Sequence, residues 1–275
     1  MAQINAYRMD GIGNNFIIID NRLNDIAIEK EKIINLAQND KTFFDQLIFL
    51  EKEENKVYPI RIFNPDGVEV GACGNGSRCV AYLIFNETKK KIIDIKADKR
   101  ILRAEIIGDK LVKINMGYAK FNNWKEIPLK NDALDPKSIS IDFLNKEIGN
   151  GICINVGNPH IVFFVKDCEN IDIKNIGPKI ENHHYFPERV NVSFAQIVND
   201  KNIKLNVWER GAGQTKACGT AACAATVAAN IKSFSKNECI IHFKSGSLKI
   251  DYNKNAGKVF MSGQVSKIEK ISFNY

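Results

Sequence analysis

The chain repeats itself, and that repeat limits what it can fold into. Gly13-Asn14 runs into the apolar stretch Phe16 to Ile19, and 144 residues later Gly157-Asn158 runs into Ile161 to Val165. Arg61-Ile-Phe-Asn-Pro-Asp-Gly67 lies 145 residues before Asn206-Val-Trp-Glu-Arg-Gly-Ala212. The same offset of 145 separates Cys73-Gly-Asn-Gly-Ser-Arg-Cys79 from Cys218-Gly-Thr-Ala-Ala-Cys223, and Gln46 from Asn191. Four landmarks in one order at a near-constant spacing mark a duplicated unit.

Each copy reads alike. A Gly-Asn turn opens a strand, and in the first copy Lys30 to Asn39 carries helical spacing through Ile33, Ile34 and Ala37. Short alternating strands follow, Val57 to Phe63 and Lys204 to Trp208, and then a Gly-rich turn leads into a helix with a cysteine at its mouth. The two helices, Cys73 to Asn86 and Cys218 to Lys232, are apolar on nearly every side, so each must be enclosed. The pattern predicts an α+β protein of two pseudo-symmetric domains, each a mixed, mostly antiparallel sheet wrapped around a central apolar helix. The duplication divides the chain into residues 1–117 and 118–263. The Pro/Asn/Lys-rich segment from Phe121 to Pro136 reads as a linker.

Composition narrows the function. Lys and Arg exceed Asp and Glu by 7, yet the excess is spread out, with no run longer than Lys89-Lys90-Lys91. A nucleic-acid partner is therefore not expected, since such binders concentrate charge on one face. The apolar uncharged stretch Ala217 to Ile231 is too short to span a bilayer, and the first residues lack the apolar core of an export signal. The 7 cysteines are an odd number in a chain large enough to bury a core without cross-links. Reduced thiols in the cytoplasm are the expectation. C-x₅-C and C-x₄-C spacings within helices fit zinc poorly, so no metal is expected.

A cysteine at a helix start lies beside backbone N–H groups that have no partner within the helix, and beside the positive end of its dipole. That setting favours thiolate; a fall in pKa from ~8.5 to ~7 is worth roughly 2 kcal/mol. The same N–H groups can hold a carboxylate. Each copy thus offers one activatable thiol, Cys73 or Cys218, next to one anion cradle. A pseudo-twofold would set the thiols face to face. That suits inversion of a carbon next to a carboxylate: one thiolate takes the α-proton and the opposite thiol returns one, with no electron-sink cofactor.

Other readings stay open at this level. The two thiols could form a redox switch, or the cradles could simply bind anions. His160 could be a structural turn residue, Glu209-Arg210 a surface ion pair, and Asn14, Asn64, Asn158 and Asn191 turn formers. Their matched places in the two copies favour hydrogen-bonding groups that line a site. Cys79 and Cys223 read as core, Cys153, Cys168 and Cys239 as structural, and His183-His184 as a solvated loop.

At these residues the sequence resembles the diaminopimelate epimerase family. The first-half motifs are Gly11-Ile-Gly-Asn-Asn-Phe16, Phe44-Asp-Gln46, Arg61 to Gly67 and Cys73 to Cys79. The second-half motifs are Gly157-Asn-Pro-His160, Glu209-Arg-Gly-Ala-Gly213 and Ala217-Cys-Gly-Thr220. The resemblance implies a cofactor-independent enzyme of the bacterial cytoplasm that interconverts LL- and meso-diaminopimelate for lysine and peptidoglycan synthesis. It also implies a homodimer, and a last strand at about 264–275 that crosses back into the first domain. Carried over by motif, Cys73 and Cys218 are the acid/base pair, assisted by His160 and Glu209. Gly74 with Asn75, and Gly219 with Thr220, hold the reacting carboxylate. Asn14, Gln46, Asn64, Asn158, Asn191, Glu209 and Arg210 bind the remaining polar groups of the substrate. Asp10 stands where the family commonly has His, Asn15 where it has Asp, and Ala221 where it has Gly.

Overall fold

The computed structural model describes residues 3–23, 26, 29–71, 73–145 and 147–274. Tyr275, the end of the expected returning strand, lies outside them. The chain forms two units, one of Met1–Asn115 with Ser262–Tyr275, the other Met116–Met261.

In the first unit, β1 (Gln3–Asp10) and β2 (Asn15–Asp20) form an antiparallel pair. After α1 (Lys30–Gln38), β3 (Gln46–Leu50) lies parallel to β2 with Phe16 opposite Gln46. Next, β4 (Val57–Phe63) pairs antiparallel with β3 and with the short β5 (Glu69–Val70). Helix α2 (Gly74–Thr88) follows, and then β6 (Ile92–Ala97), β7 (Arg100–Gly108) and β8 (Leu111–Tyr118), with β6 parallel to β4.

The second unit repeats this order. Its β9 (Ile152–Asn155) and β10 (Pro159–Phe164) are antiparallel, α3 (Ile173–Glu181) intervenes, and β11 (Asn191–Asn199) lies parallel to β10 with His160 opposite Asn191. Antiparallel β12 (Asn202–Glu209) and β13 (Gly213–Gln214) lead to α4 (Gly219–Ile231), and β14 (Glu238–Phe243) lies parallel to β12. The unit continues with β15 (Gly246–Asn253) and most of β16 (Lys258–Gln264), which runs on into the first unit from Ser262. Finally β17 (Glu269–Asn274) returns to pair antiparallel with β1. The register of the central parallel pair is thus the same in both units, which makes the repeat structural as well as sequential.

The fold follows from strands that are apolar on both faces. In β2 and β3, Ile17, Ile19, Leu47 and Phe49 pack with Ile33 and Leu36 of α1 in one core. Side chains alternate across a sheet, so Phe16 and Ile18, with Ile48 and Leu50, face the other way. There the helix α2 lies so close that a Cβ on Gly76 would come within 2.7 Å of Ile48. In the second unit, Ile161, Phe163, Val192 and Phe194 join Ile173 and Ile180 of α3. His160, Asn191 and Ser193 therefore face the α4 side. Nearly every residue of α4 is buried, from Gly219 to Ala229. Alanine suits that place, since small side chains let a helix sit against a sheet on several sides.

Two expectations are corrected. The segment Phe121 to Pro136 is not a linker: Ile127 and Leu129 are buried in the second unit's core, and Phe121, Trp124 and Leu134 pack on it. Its polar residues hid an apolar set that is not periodic. His183 is not solvated either; its side chain is 7% exposed and its ring packs tilted or edge-on against Phe143, His184 and Tyr185.

Gly151 tests how tightly the second core is packed. An added Cβ would lie 2.6 Å from Ile161 and 2.8 Å from Phe163. Gly151→Ala is expected to cost about 1–3 kcal/mol through overpacking, read as a lower midpoint in thermal or urea unfolding.

Candidate active site

The polar candidates sit at equivalent strand ends. In the first unit Asn14 precedes β2, Gln46 begins β3 and Asn64 follows β4, whose direction is opposite. In the second, Asn158 precedes β10, Asn191 begins β11 and Glu209 ends β12. Each group therefore lies at one edge of its sheet, and in each unit the cysteine helix begins shortly after the short strand that follows.

Cys73 and Cys218 are the N-cap residues of α2 and α4, with nearly identical backbone angles, φ −140°, ψ 109° and φ −134°, ψ 117°. The match ends at the sulfurs. The half-buried Cys73 Sγ accepts a hydrogen bond from the Gly76 N–H at 3.4 Å, as an N-cap side chain does. Cys218 Sγ is buried and instead donates to Glu209 Oε2 at 3.0 Å, with Thr220 Oγ1 3.4 Å away.

In the first unit the structure brings Gln46 and Asn64 into direct contact, Gln46 Nε2 donating to Asn64 Oδ1 at 3.1 Å. Asn75, at the mouth of α2, lies against Gly11, where an added Cβ would come within 3.2 Å of its carbonyl oxygen. Gly11 is thus what lets the Asn14 turn approach the helix mouth. Three amide oxygens, Asn14 Oδ1, Gln46 Oε1 and Asn75 Oδ1, are buried without a hydrogen-bond partner. Buried acceptors left unpaired are costly, and a ligand with N–H donors would satisfy them.

In the second unit five predicted residues form one hydrogen-bonded chain. From Glu209 it runs through Cys218 to Thr220 Oγ1, which accepts from Asn158 Nδ2 at 3.4 Å. Asn158 Oδ1 then lies 2.9 Å from His160 Nε2. Burial, with the nearby Arg210 charge, drives the His160 pKa down to about 3, so the imidazole is neutral. With Nε2–H directed at the amide oxygen, the Nδ1 lone pair is buried and without a hydrogen-bond partner. Asn191 binds backbone: Nδ2 donates to the Pro159 carbonyl at 2.8 Å and Oδ1 accepts from the Arg210 N–H at 3.0 Å. Arg210 Nη1 donates to the Glu188 carbonyl at 2.8 Å. Gly74 and Gly219 are the first, buried residues of their helices.

Burial raises the Glu209 carboxyl pKa, partly offset by hydrogen bonds from Cys218 and from Thr215, whose hydroxyl lies 2.5 Å from Oε1. Burial and then the Glu209 charge push the Cys218 thiol well above its ordinary range, while Thr220 and the Ala221 N–H pull the other way. The two groups hold a proton between them. The sequence reading missed Thr215, which is an unremarkable turn residue by composition. It also missed Glu181, whose carboxylate is buried on α3 beside Trp208 and Gly211. Spacing could have found Glu181, since it continues the apolar face of Ile173, Gly177 and Ile180.

The architecture is shared with solved structures too distant for more than a comparison of folds. A phenazine biosynthesis protein of the PhzF family from Bacillus anthracis superposes with a TM-score of 0.67 at 15% identity, covering 100% of both chains. A hydroxyproline epimerase from Agrobacterium vitis gives 0.64 at 11%, covering 99% of this chain and 93% of that one. The fold is thus one shared with a PhzF-family protein and with a hydroxyproline epimerase. The family model for diaminopimelate epimerase matches residues 6–122 and 152–268. A diaminopimelate epimerase of Pelagibacter ubique (strain HTCC1062) is 47% identical, covering 98% of each chain, and one of a Wolbachia from Drosophila simulans is 38% identical, covering 95% and 96%. The chain belongs to the diaminopimelate epimerase family, and it is an isomerase.

The raised Glu209 pKa has a stability consequence with a definite sign. The folded state favours the protonated carboxyl more than the unfolded chain does. Its contribution is therefore full below the ordinary carboxylate range and is lost as pH rises through the folded value. Glu209→Gln is free of that loss. The thermal midpoint of the variant should rise relative to wild type as pH increases from about 4 toward 8, as read by scanning calorimetry.

Proposed function

We propose that this chain interconverts LL- and meso-diaminopimelate, with Cys73 and Cys218 as the acid/base pair. One sulfur, as thiolate, removes the α-hydrogen as a proton and becomes a thiol. The electron pair stays on the α-carbon and its carboxylate, and the other thiol delivers a proton to the opposite face and becomes a thiolate. No electrons leave the substrate, and the pair ends with its protonation reversed, to be reset by proton exchange.

The observation that carries the reading is the matched placement of both thiols as helix N-caps in the two halves of a duplicated unit. Charge that develops on the carboxylate is stabilised by the N–H groups of Gly74 and Asn75, or of Gly219 and Thr220, at the helix mouths. Glu209 serves as the proton partner of Cys218, and neutral His160 offers Nδ1 as an acceptor for a substrate donor. Asn14, Gln46 and Asn75 bring unpaired oxygens suited to ammonium groups, and Asn64, Asn158, Asn191 and Arg210 complete the polar lining. The product would serve lysine and cell-wall synthesis, and a homodimer fits the family.

The test is proton exchange in D₂O with LL-diaminopimelate and no added cofactor. Reduced wild type is expected to place deuterium at the α-carbon and to form the meso isomer. Cys73→Ala and Cys218→Ala should each lower turnover by about 10²–10⁴-fold. Absence of exchange by folded, reduced wild type would remove diaminopimelate as the substrate.

A further inference from the structure

Glu181 is a carboxylate in a place where a leucine would be the cheaper choice. It lies at the end of α3, only 5% exposed. It accepts three hydrogen bonds: Trp208 Nε1 donates to Oε2 at 2.7 Å, while the Gly211 N–H and Arg189 Nη1 donate to Oε1 at 2.9 and 3.2 Å. Four residues earlier on the same helix face, Gly177 allows the contact, because a Cβ there would lie 2.7 Å from Trp208 Cγ. Taking a carboxylate out of water is expensive unless its oxygens are fully used, and here they are.

The donors are not scattered. Trp208 precedes Glu209 on β12, and Gly211 follows Arg210 in the turn to β13, where Gly211 and Gly213 have φ of 76° and 83°. The chain is thus held on both sides of the Glu209-Arg210 pair, through the Trp208 side chain and the Gly211 backbone, and Asn191 Oδ1 holds the Arg210 N–H between them. Alternation along a strand sends the Glu209 side chain away from the face that Trp208 uses. It ends 3.0 Å from Cys218 Sγ, a distance that small shifts of the strand end would break.

We infer that Glu181 is a positioning residue for Glu209 and Arg210: it fixes the strand end that places the carboxyl on Cys218. The inference rests on the proposed roles of Cys218 and Glu209. A glutamine at 181 offers one acceptor oxygen, so either the indole or the Gly211 and Arg189 donors lose their partner.

The test compares wild type, Glu181→Gln, Trp208→Phe and, as a stability control, the core deletion Ile250→Ala in β15. Epimerisation of diaminopimelate is measured per folded protein, with kcat and KM separated. Iodoacetamide labelling of Cys218 at pH 8 is followed by peptide mass. Both site variants are expected to lose kcat by about tenfold to 10²-fold, the effect of a misplaced group, and to label Cys218 faster as Glu209 withdraws. Ile250→Ala should lose stability while keeping wild-type kcat, KM and labelling. If Glu181→Gln does not fold, Trp208→Phe supplies the same readouts. Wild-type kcat, KM and labelling in the folded site variants would overturn the inference. If wild type itself fails to turn over diaminopimelate, the substrate reading falls, and the labelling comparison still decides on Glu181.

Discussion

A thiol and a carboxyl group 3.0 Å apart in a buried setting cannot both be charged. The Glu209–Cys218 contact therefore keeps a proton on one of the two groups. Much of the second unit's local structure follows from accommodating it. Thr215 gives Glu209 a second donor, so the carboxyl is served on both oxygens. Thr220 and Asn158 pass hydrogen bonding on from the sulfur to His160. Burial and the Arg210 charge keep that ring neutral, so the far end of the chain is an uncharged imidazole. The mouth of α4 adds N–H donors at the sulfur's side without adding a titrating group.

The duplicated fold makes the contrast with the first unit informative. At the strand end where the second unit has Glu209, the first has Asn64, a neutral amide that engages Gln46 instead of the thiol. Cys73 then turns to its own helix and accepts from the Gly76 N–H. An N–H donor supports charge on sulfur, whereas a neighbouring carboxylate opposes it. The same backbone frame thus holds one sulfur as an acceptor and the other as a donor.

Much of this was legible in the residues because duplication leaves paired landmarks, and because helix caps and Gly-Asn turns are local. The cysteine positions, the apolar helices and the polar strand ends all came from spacing. What escaped depends on contacts distant in sequence. Glu181 lies on the apolar face of its helix, but its bonds to Trp208 and Gly211 reach 27 and 30 residues away, and an acidic residue near a helix end usually reads as solvated. The segment from Phe121 to Pro136 lacks period, so the burial of Ile127 and Leu129 had no pattern to announce it. His183 owes its packing to Phe143 on another loop, which a run of polar neighbours conceals.

The positions where this chain departs from the family pattern have a physical account in the same terms. Asp10 Oδ1 accepts from the Gly13 N–H at 2.9 Å, while its backbone N–H donates to Ser266 Oγ at 2.8 Å. The turn it closes is an awkward one: Ile12 has φ of 61° and Gly13 of 79°, and a β-branched residue is rarely found there. A short carboxylate two and three residues upstream is well suited to holding such a turn, and that turn carries Asn14. At position 15 the contact is through the backbone, whose N–H donates to Asp45 Oδ2 at 2.8 Å. Any residue can supply that bond, and an amide does so without placing a second negative charge near Asp45. Ala221 falls on the buried stretch of α4, where a methyl group stiffens the first turn relative to glycine. Each departure therefore acts on the backbone that presents the proposed site, and leaves the sulfur and carboxyl chemistry intact.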